Sequence, residues 1–179
     1  APAVMDEATP TDLAPLREPP AAPQVATHNF RFSEDYDLYP SGAKTKYKNN
    51  VMAIKLLKQI ELEKRTATPE EQIILARYVG WGGLANAFSS TASGWENEYQ
   101  ELKSLLTDVE YKAAMNSTIT AYYTEPDLIR HIYRALERFG FEGGPDRKIL
   151  DPGMGTGNFY SVLPEQFQGS KLFGVELDS

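Results

Sequence analysis

Ile149-Leu150-Asp151-Pro152-Gly153-Met154-Gly155-Thr156-Gly157-Asn158-Phe159 is the stretch whose reading decides the fold. It reads as a short buried strand that ends on an acid, runs into a glycine-rich loop and enters a helix start. Downstream, Lys171 to Val175 reads as a second strand, followed directly by Glu176. The helix between them runs from Asn158 to Leu163 and is halted near Pro164. A strand–helix–strand unit of this kind places its two strands parallel in one sheet.

Upstream the pattern is helical. Ala53, Leu56, Leu57 and Ile60 recur at helical spacing inside a basic helix over 44–66. Thr68, Pro69 and Glu71 form a capping-box start for a helix expected to end at Gly80. Ser93 with Glu96 reads as another start, with Trp95, Tyr99, Leu102 and Leu106 on its stripe. Thr107 with Glu110 opens a short helix. Thr124 with Asp127 opens a longer one, with Ile129, Ile132, Tyr133 and Leu136 facing the core and Gly140 as its stop. Residues 28–43 carry Phe30, Phe32, Tyr36 and Tyr39 without a period and are expected to lie irregularly on the domain that follows. Residues 1–27 hold six of the 12 prolines and read as a disordered Pro/Ala-rich linker.

Composition bounds the function. The apolar share is 41% and the charged share 24%, ordinary for a globular chain. There is no cysteine, so thiolate metal sites and cysteine nucleophiles are excluded. His28 and His131 are the two histidines, too few for a histidine-rich metal centre. No signal segment or membrane-length apolar run occurs, so a cytoplasmic setting is expected and no membrane partner. The net charge is −7, yet residues 44–66 carry +5. Lys44, Lys48, Lys55 and Lys58 share a helix face opposite the apolar stripe. They read either as a solvated face or as contacts to DNA phosphates, weakened by salt.

The glycine loop carries the chemistry. Close approach of a bound nucleoside cofactor to backbone calls for residues without a β-carbon, supplied by Gly153, Gly155 and Gly157. Amides from Thr156 to Phe159 supply donors, and Glu176, 25 residues beyond Asp151, is placed to accept from ribose hydroxyls. A phosphate-binding P-loop requires Gly-Lys-Ser/Thr where this chain has Gly157-Asn158-Phe159. A dinucleotide fingerprint requires glycine where Asn158 stands. Asp151 at the loop's entrance suits a cationic ligand, which favours S-adenosylmethionine with its ammonium and sulfonium.

Asp151-Pro152-x-x-Gly155-x-Gly157-x-Phe159 resembles the first cofactor motif of the adenine-N6 DNA methyltransferases, and Gly174-Val175-Glu176-Leu177-Asp178 resembles their second. Ala121-Tyr122-Tyr123-Thr124-Glu125-Pro126 resembles the segment that contacts the methionine end of the cofactor in that family. Arg77-Tyr78-Val79-Gly80-Trp81-Gly82-Gly83-Leu84 resembles the upstream region of large methylase–helicase fusion proteins of bacterial conjugative elements and phages. The likeness spans residues 28–179. It implies an α+β fragment: a helical region over 28–120, then, over 121–179, the first β-α-β unit of a class I, Rossmann-like S-adenosylmethionine methyltransferase domain, truncated. It implies DNA methylation within restriction–modification, and a helicase fused downstream as a possible partner domain.

Carried over residue by residue, the resemblance makes Tyr123, Thr124, Asp151, Pro152, Gly153, Gly155, Gly157, Asn158, Phe159, Glu176 and Leu177 the cofactor-binding set. The family's catalytic tetrapeptide, Asn or Asp-Pro-Pro-aromatic, is missing. Pro19-Pro20 lies in the linker with the wrong neighbours. No catalytic residue is therefore assigned, and this chain alone is expected to be inactive, with weak or absent cofactor binding. The competing reading is a non-catalytic DNA- or partner-binding module with a methyltransferase-like fold. A nucleotide-binding oxidoreductase fits the glycine spacing least well. Trp81-Gly82-Gly83 reads as a packed turn in preference to a base-stacking platform.

Overall fold

The computed structural model describes residues 30–39 and 41–176. The expected linker over 1–27, His28, the Pro19-Pro20 pair, Leu177 and Asp178 lie outside the described residues. The described chain is mostly helical, with one small parallel sheet.

Helix α1, Ala43–Glu63, packs along α2, Pro69–Ala76. The expected capping box of α2 is formed in full: Thr68 accepts from the Glu71 amide and Glu71 accepts from the Thr68 amide. Such a cap contributes about 1 kcal/mol. The helix stops at Ala76, short of the expected Gly80. The carboxamide of Asn50 on α1 takes the Val79 N–H and donates to the Gly80 carbonyl, drawing those groups out of helical pairing. Helix α3 spans Glu96–Leu105 and α4 spans Asp108–Ser117, the latter with a complete Thr107–Glu110 capping box. Ser93 is not the cap of α3. Trp95 holds that position, and Glu96 reaches back to the Gly94 amide instead.

The first core joins these helices through the turn that follows α2. Tyr47, Val51, Trp81, Leu84, Phe88, Trp95, Leu102 and Tyr111 are buried together. Trp81 lies edge-to-face with Tyr47, Tyr78 and Phe88, contacts worth about 0.5–1.5 kcal/mol each beyond area burial. The buried stripe of α1 is Tyr47, Asn50, Val51, Ala53 and Ile60. The expected stripe is thus rotated: Ala53 and Ile60 are buried, whereas Leu57 stays 45% exposed.

Helix α5, Pro126–Arg138, begins after Glu125 with no side-chain cap, so Thr124 does not cap it. Its Ile129 and Tyr133 meet Leu163 and Phe167 in a second core. Strand β1, Lys148–Asp151, pairs parallel with β2, Lys171–Gly174, in the register Leu150↔Phe173 and Asp151↔Gly174. Between them come α6, Asn158–Ser161, and a single 3₁₀ turn, Glu165–Phe167. The aromatic segment before α1 lies on this unit, with the Phe32 amide donating to the Ser161 carbonyl. Ile149 packs on the second core. Leu150, Phe173 and Val175 alternate onto the other face and stay 62%, 48% and 55% exposed. Among the described residues no helix is long and apolar enough to cross a membrane.

Candidate functional site

The glycine loop leaves β1 at Asp151 and folds back over the end of β2. The Val175 amide donates to the Asp151 carbonyl and the Met154 amide to the Val175 carbonyl, each at 2.9 Å. The Tyr160 hydroxyl accepts from the Asp151 amide at 3.1 Å and donates to the Phe173 carbonyl, tying both strands where the ladder ends. Met154 fills the space over Gly174, where an added β-carbon would sit 2.1 Å from its sulfur.

Gly155 and Gly157 hold left-handed φ values of +53° and +77°, which favour glycine. Gly155 also leaves room for an aromatic ring: a β-carbon there would lie 2.6 Å from Tyr123 Cε1. Gly153 needs neither freedom for the fold, because a β-carbon there meets nothing within 4 Å and its φ is unexceptional.

The two acids hold the loop from either side. Asp151 Oδ1 accepts from the Gly153 amide at 3.2 Å, while its Oδ2 is buried with no hydrogen-bond partner. Glu176 Oε2 accepts from the Gly155 amide at 2.6 Å. The sequence separation of 25 residues therefore closes to direct contact between the loop and the second acid.

Beside the loop is a cavity of about 380 Å³ bordered by Tyr123, Gly155, Thr156 and Glu176 and closed by α1, α4 and Trp81. Its wall carries three carboxylates, Glu61, Glu110 and Glu176, against one ammonium, Lys58. That balance suits a cationic ligand. Asp151 does not line this cavity. A larger cavity of about 640 Å³ adjoins the other side of the loop, at Thr156 and Asn158, and is lined mainly by apolar residues of α1 and α2.

Asn158 bridges segments. Its Nδ2 donates to the Thr124 carbonyl at 3.0 Å, its Oδ1 accepts from Thr156, and Tyr39 bonds its side chain. Burial pushes the Tyr39 phenol up to about 12. Phe159 is drawn into the core beneath the loop, 6.2 Å from the Tyr133 ring, so its side chain packs away from the cavity. Pro152 is exposed at the loop's entrance. Thus Tyr123, Thr124, Asp151, Pro152, Gly153, Gly155, Gly157, Asn158 and Glu176 gather on one loop and its neighbours, while Phe159 supports it from below.

The basic helix is not the free surface its charge suggested. Lys44 pairs with Glu98 at 2.6 Å and lies over the Trp95 ring; Lys55 pairs with Glu101 at 2.7 Å; Lys58 pairs with Glu110 at 2.8 Å. Lys48 makes no ion pair among the described residues; the Glu98 carboxyl is held down chiefly by the Lys44 hydrogen bond, with the Lys48 charge a smaller contribution. His131 is exposed, its Nδ1 2.7 Å from the Asp127 carbonyl oxygen. Among the described residues no three His, Asp or Glu side chains gather to hold a metal.

Sequence reasoning missed Asn50, Met154 and Tyr160. Asn50 carried one legible signal, a carboxamide on the apolar stripe three residues from Tyr47. Met154 and Tyr160 carried none, since their roles depend on how the loop folds back. Compared with protein-family models, with curated proteins and with solved structures, the chain finds no match in any of the three.

Proposed function

We propose that this chain supplies the first cofactor-binding unit of an S-adenosylmethionine-dependent DNA adenine-N6 methyltransferase, working in the cytoplasm with DNA as its substrate. The observation that carries the reading is the meeting of the Gly155 amide with Glu176 beside an acid-lined cavity. A dinucleotide or nucleoside triphosphate, with its anionic phosphates, is poorly suited to that wall. The residues present fit a nucleoside bearing a cationic amino-acid end. Glu176 would take ribose hydroxyls, Gly153 leaves backbone open to close approach, and Tyr123 with Thr124 would border the methionine end. Asp151 lies off the cavity and holds the loop through the Gly153 amide, its Oδ2 buried without a partner.

When bound, the cofactor supplies a methyl group on a sulfonium. The chain's own residues bind and orient; none of them is assigned to activate the acceptor amine. Adenine in a duplex is unreachable unless flipped out of the stack, so acceptor recognition belongs to groups beyond the set named here. The bare face of Leu150, Phe173 and Val175 supports a larger α/β domain, because parallel sheets are covered on both faces. A Rossmann-like sheet and a fused helicase belong to the same reading.

Titration of isotope-labelled chain with S-adenosylmethionine, followed by amide NMR, tests it. The gathered site makes weak binding the expected result, with shifts confined to residues 151–157, Tyr123 and Glu176, and loss of those shifts in Glu176→Ala. No shift at millimolar cofactor, or equal shifts with a nicotinamide dinucleotide, refutes it. A non-catalytic DNA-binding module, the second reading, is favoured by the site if Asp151→Asn and Glu176→Ala leave every ligand response unchanged while DNA still binds.

A further inference from the structure

We propose that the Gly80-Trp81-Gly82-Gly83 turn is a positioning device for the cofactor loop and acts through the ring of Tyr123. The coupling stands on contacts between protein groups; its consequence for the cofactor rests on the function proposed above.

The turn is fixed at every point. Asn50, fully buried, donates to the Gly80 carbonyl at 2.7 Å and accepts from the Val79 amide at 2.9 Å. Trp81 is 2% exposed in the first core, which removes it as a base-stacking surface. The Gly82 amide donates to the Ala121 carbonyl at 3.2 Å and the Gly83 amide to the Thr118 carbonyl at 3.1 Å. The backbones approach so closely there that a β-carbon on Gly82 would lie 2.3 Å from the Ala121 oxygen. The chain therefore leaves the turn toward Tyr123 at a set place.

Tyr123 then fills the gap between the turn and the loop. A β-carbon on Gly80 would lie 2.8 Å from Tyr123 Cε2, and one on Gly155 would lie 2.6 Å from Cε1. These carbons are opposite edges of one ring. Both glycines are thus in contact with it, one from the helical region and one from the cofactor loop. The Gly155 amide, on the loop side, makes the bond to Glu176. Pushing the ring from Gly80 displaces Gly155 and breaks that bond. Asn50 and Gly80 are positioning residues by this account, and the helical region presets the loop that would hold the cofactor.

The fold supplies its own control. Gly80 and Gly83 have nearly equal left-handed φ values, +76° and +75°, so alanine incurs the same backbone penalty at each. A β-carbon on Gly83 meets only the Tyr122 hydroxyl, at 3.8 Å. Amide hydrogen exchange of the unliganded chain reads the loop directly. Gly80→Ala is expected to speed exchange at Gly155 about tenfold more than Gly83→Ala does, beyond any difference in global stability, which the slowest-exchanging amides of the first core report. Tyr123→Ala should release Gly155 likewise, and Tyr123→Phe, which keeps the ring, should retain its protection.

Equal exchange at Gly155 in the two glycine variants overturns the proposal, as does equal loss in Tyr123→Phe and Tyr123→Ala. Should Gly80→Ala fail to fold, the Tyr123 pair decides alone. Cofactor affinity is measured on the same variants, with Trp81 fluorescence as a second readout because Trp81 borders the cavity. Failure of the unsubstituted chain to bind cofactor refutes the functional reading, and the exchange comparison still decides the coupling.

Discussion

Replacing Asn50 with alanine tests the join between the first core and the glycine loop. The side chain is fully buried and serves two backbone groups, the Val79 N–H and the Gly80 carbonyl. Alanine leaves both without a partner, and an unsatisfied buried group costs about 1–3 kcal/mol. A small cavity adds to this and relaxation of the turn subtracts from it, giving a net loss of about 3 kcal/mol. For a chain of this size, about 2–4 °C of midpoint per kcal/mol converts that to about 6–12 °C. Thermal unfolding followed by circular dichroism measures it. Asn50→Asp refines the test, since a carboxylate still accepts from Val79 but cannot donate to Gly80. Its ionised form is disfavoured by burial, so its penalty should shrink as pH falls from about 7 to about 5 while the carboxyl takes up a proton. A midpoint loss below about 2 °C for Asn50→Ala would mean that the two backbone groups find other partners, and the reasoning would fail.

Three further outcomes follow from named contacts. Gly143→Ala should destabilise by about 2 kcal/mol or more, because its β-carbon would lie 2.2 Å from the Gln166 backbone oxygen, whereas Gly153→Ala should leave stability within about 0.5 kcal/mol and lower cofactor affinity alone; a stability loss at Gly153 in chemical unfolding would contradict this. The hydrogen bond from Lys58 chiefly lowers the Glu110 carboxyl from 4.5 to about 2, so the stability it supplies is complete above 4.5 and is lost as pH falls toward about 2; Lys58→Met should flatten that part of the acid limb in a midpoint-against-pH series, and parallel curves would exclude the pair as its cause. Changing Lys44, Lys55 and Lys58 together to glutamate should lower the thermal midpoint by setting carboxylates against Glu98, Glu101 and Glu110, whereas Lys48→Glu should leave it nearly unchanged and serve as the cleaner probe of DNA binding by filter retention; an unchanged midpoint in the triple variant would show that the pairs carry no net stability.

What was legible in the sequence was local. Thr68 and Thr107 each stand three residues before a glutamate that must cap the same amide set, so both boxes form wherever the helices pack. The parallel pairing of β1 with β2 followed from the helix-bearing crossover between them. The glycine loop was legible because left-handed φ at Gly155 and Gly157 is a backbone requirement that few side chains meet. The misreadings arose where a distant group won. Asn50 ended α2 early by taking its backbone groups. Glu96 bonded Gly94 and left Ser93 outside the helix. The stripe of α1 rotated because Tyr47 and Val51, on the neighbouring face, found Trp81 and Trp95 to pack on. Phe159 sat in a motif by sequence and in the core by packing.

The basic segment shows most clearly why charge pattern and charge function differ. Residues 44–66 carry +5, and residues 96–110 carry −4. Along the chain these are separate runs. In the fold they are facing surfaces, because α1 packs across α3 and α4 through Tyr47 and the Trp95 cluster. The lysines then meet glutamates at 2.6–2.8 Å, and Tyr47 adds its hydroxyl to Glu101 at 2.9 Å. A phosphate backbone approaching this face must compete with carboxylates already in place, at pairs each worth no more than about 1 kcal/mol when exposed. The competition is not prohibitive, but it makes DNA contact conditional on breaking structure, where a free lysine face would require none. One of these acids, Glu110, also borders the cavity beside the glycine loop. That carboxylate therefore does two things: it neutralises Lys58 on the basic helix and, with Glu61 and Glu176, gives the cavity its negative wall. That sharing is what a sequence of separate charge runs cannot display, and it ties the electrostatics of the candidate site to the packing of the helical region.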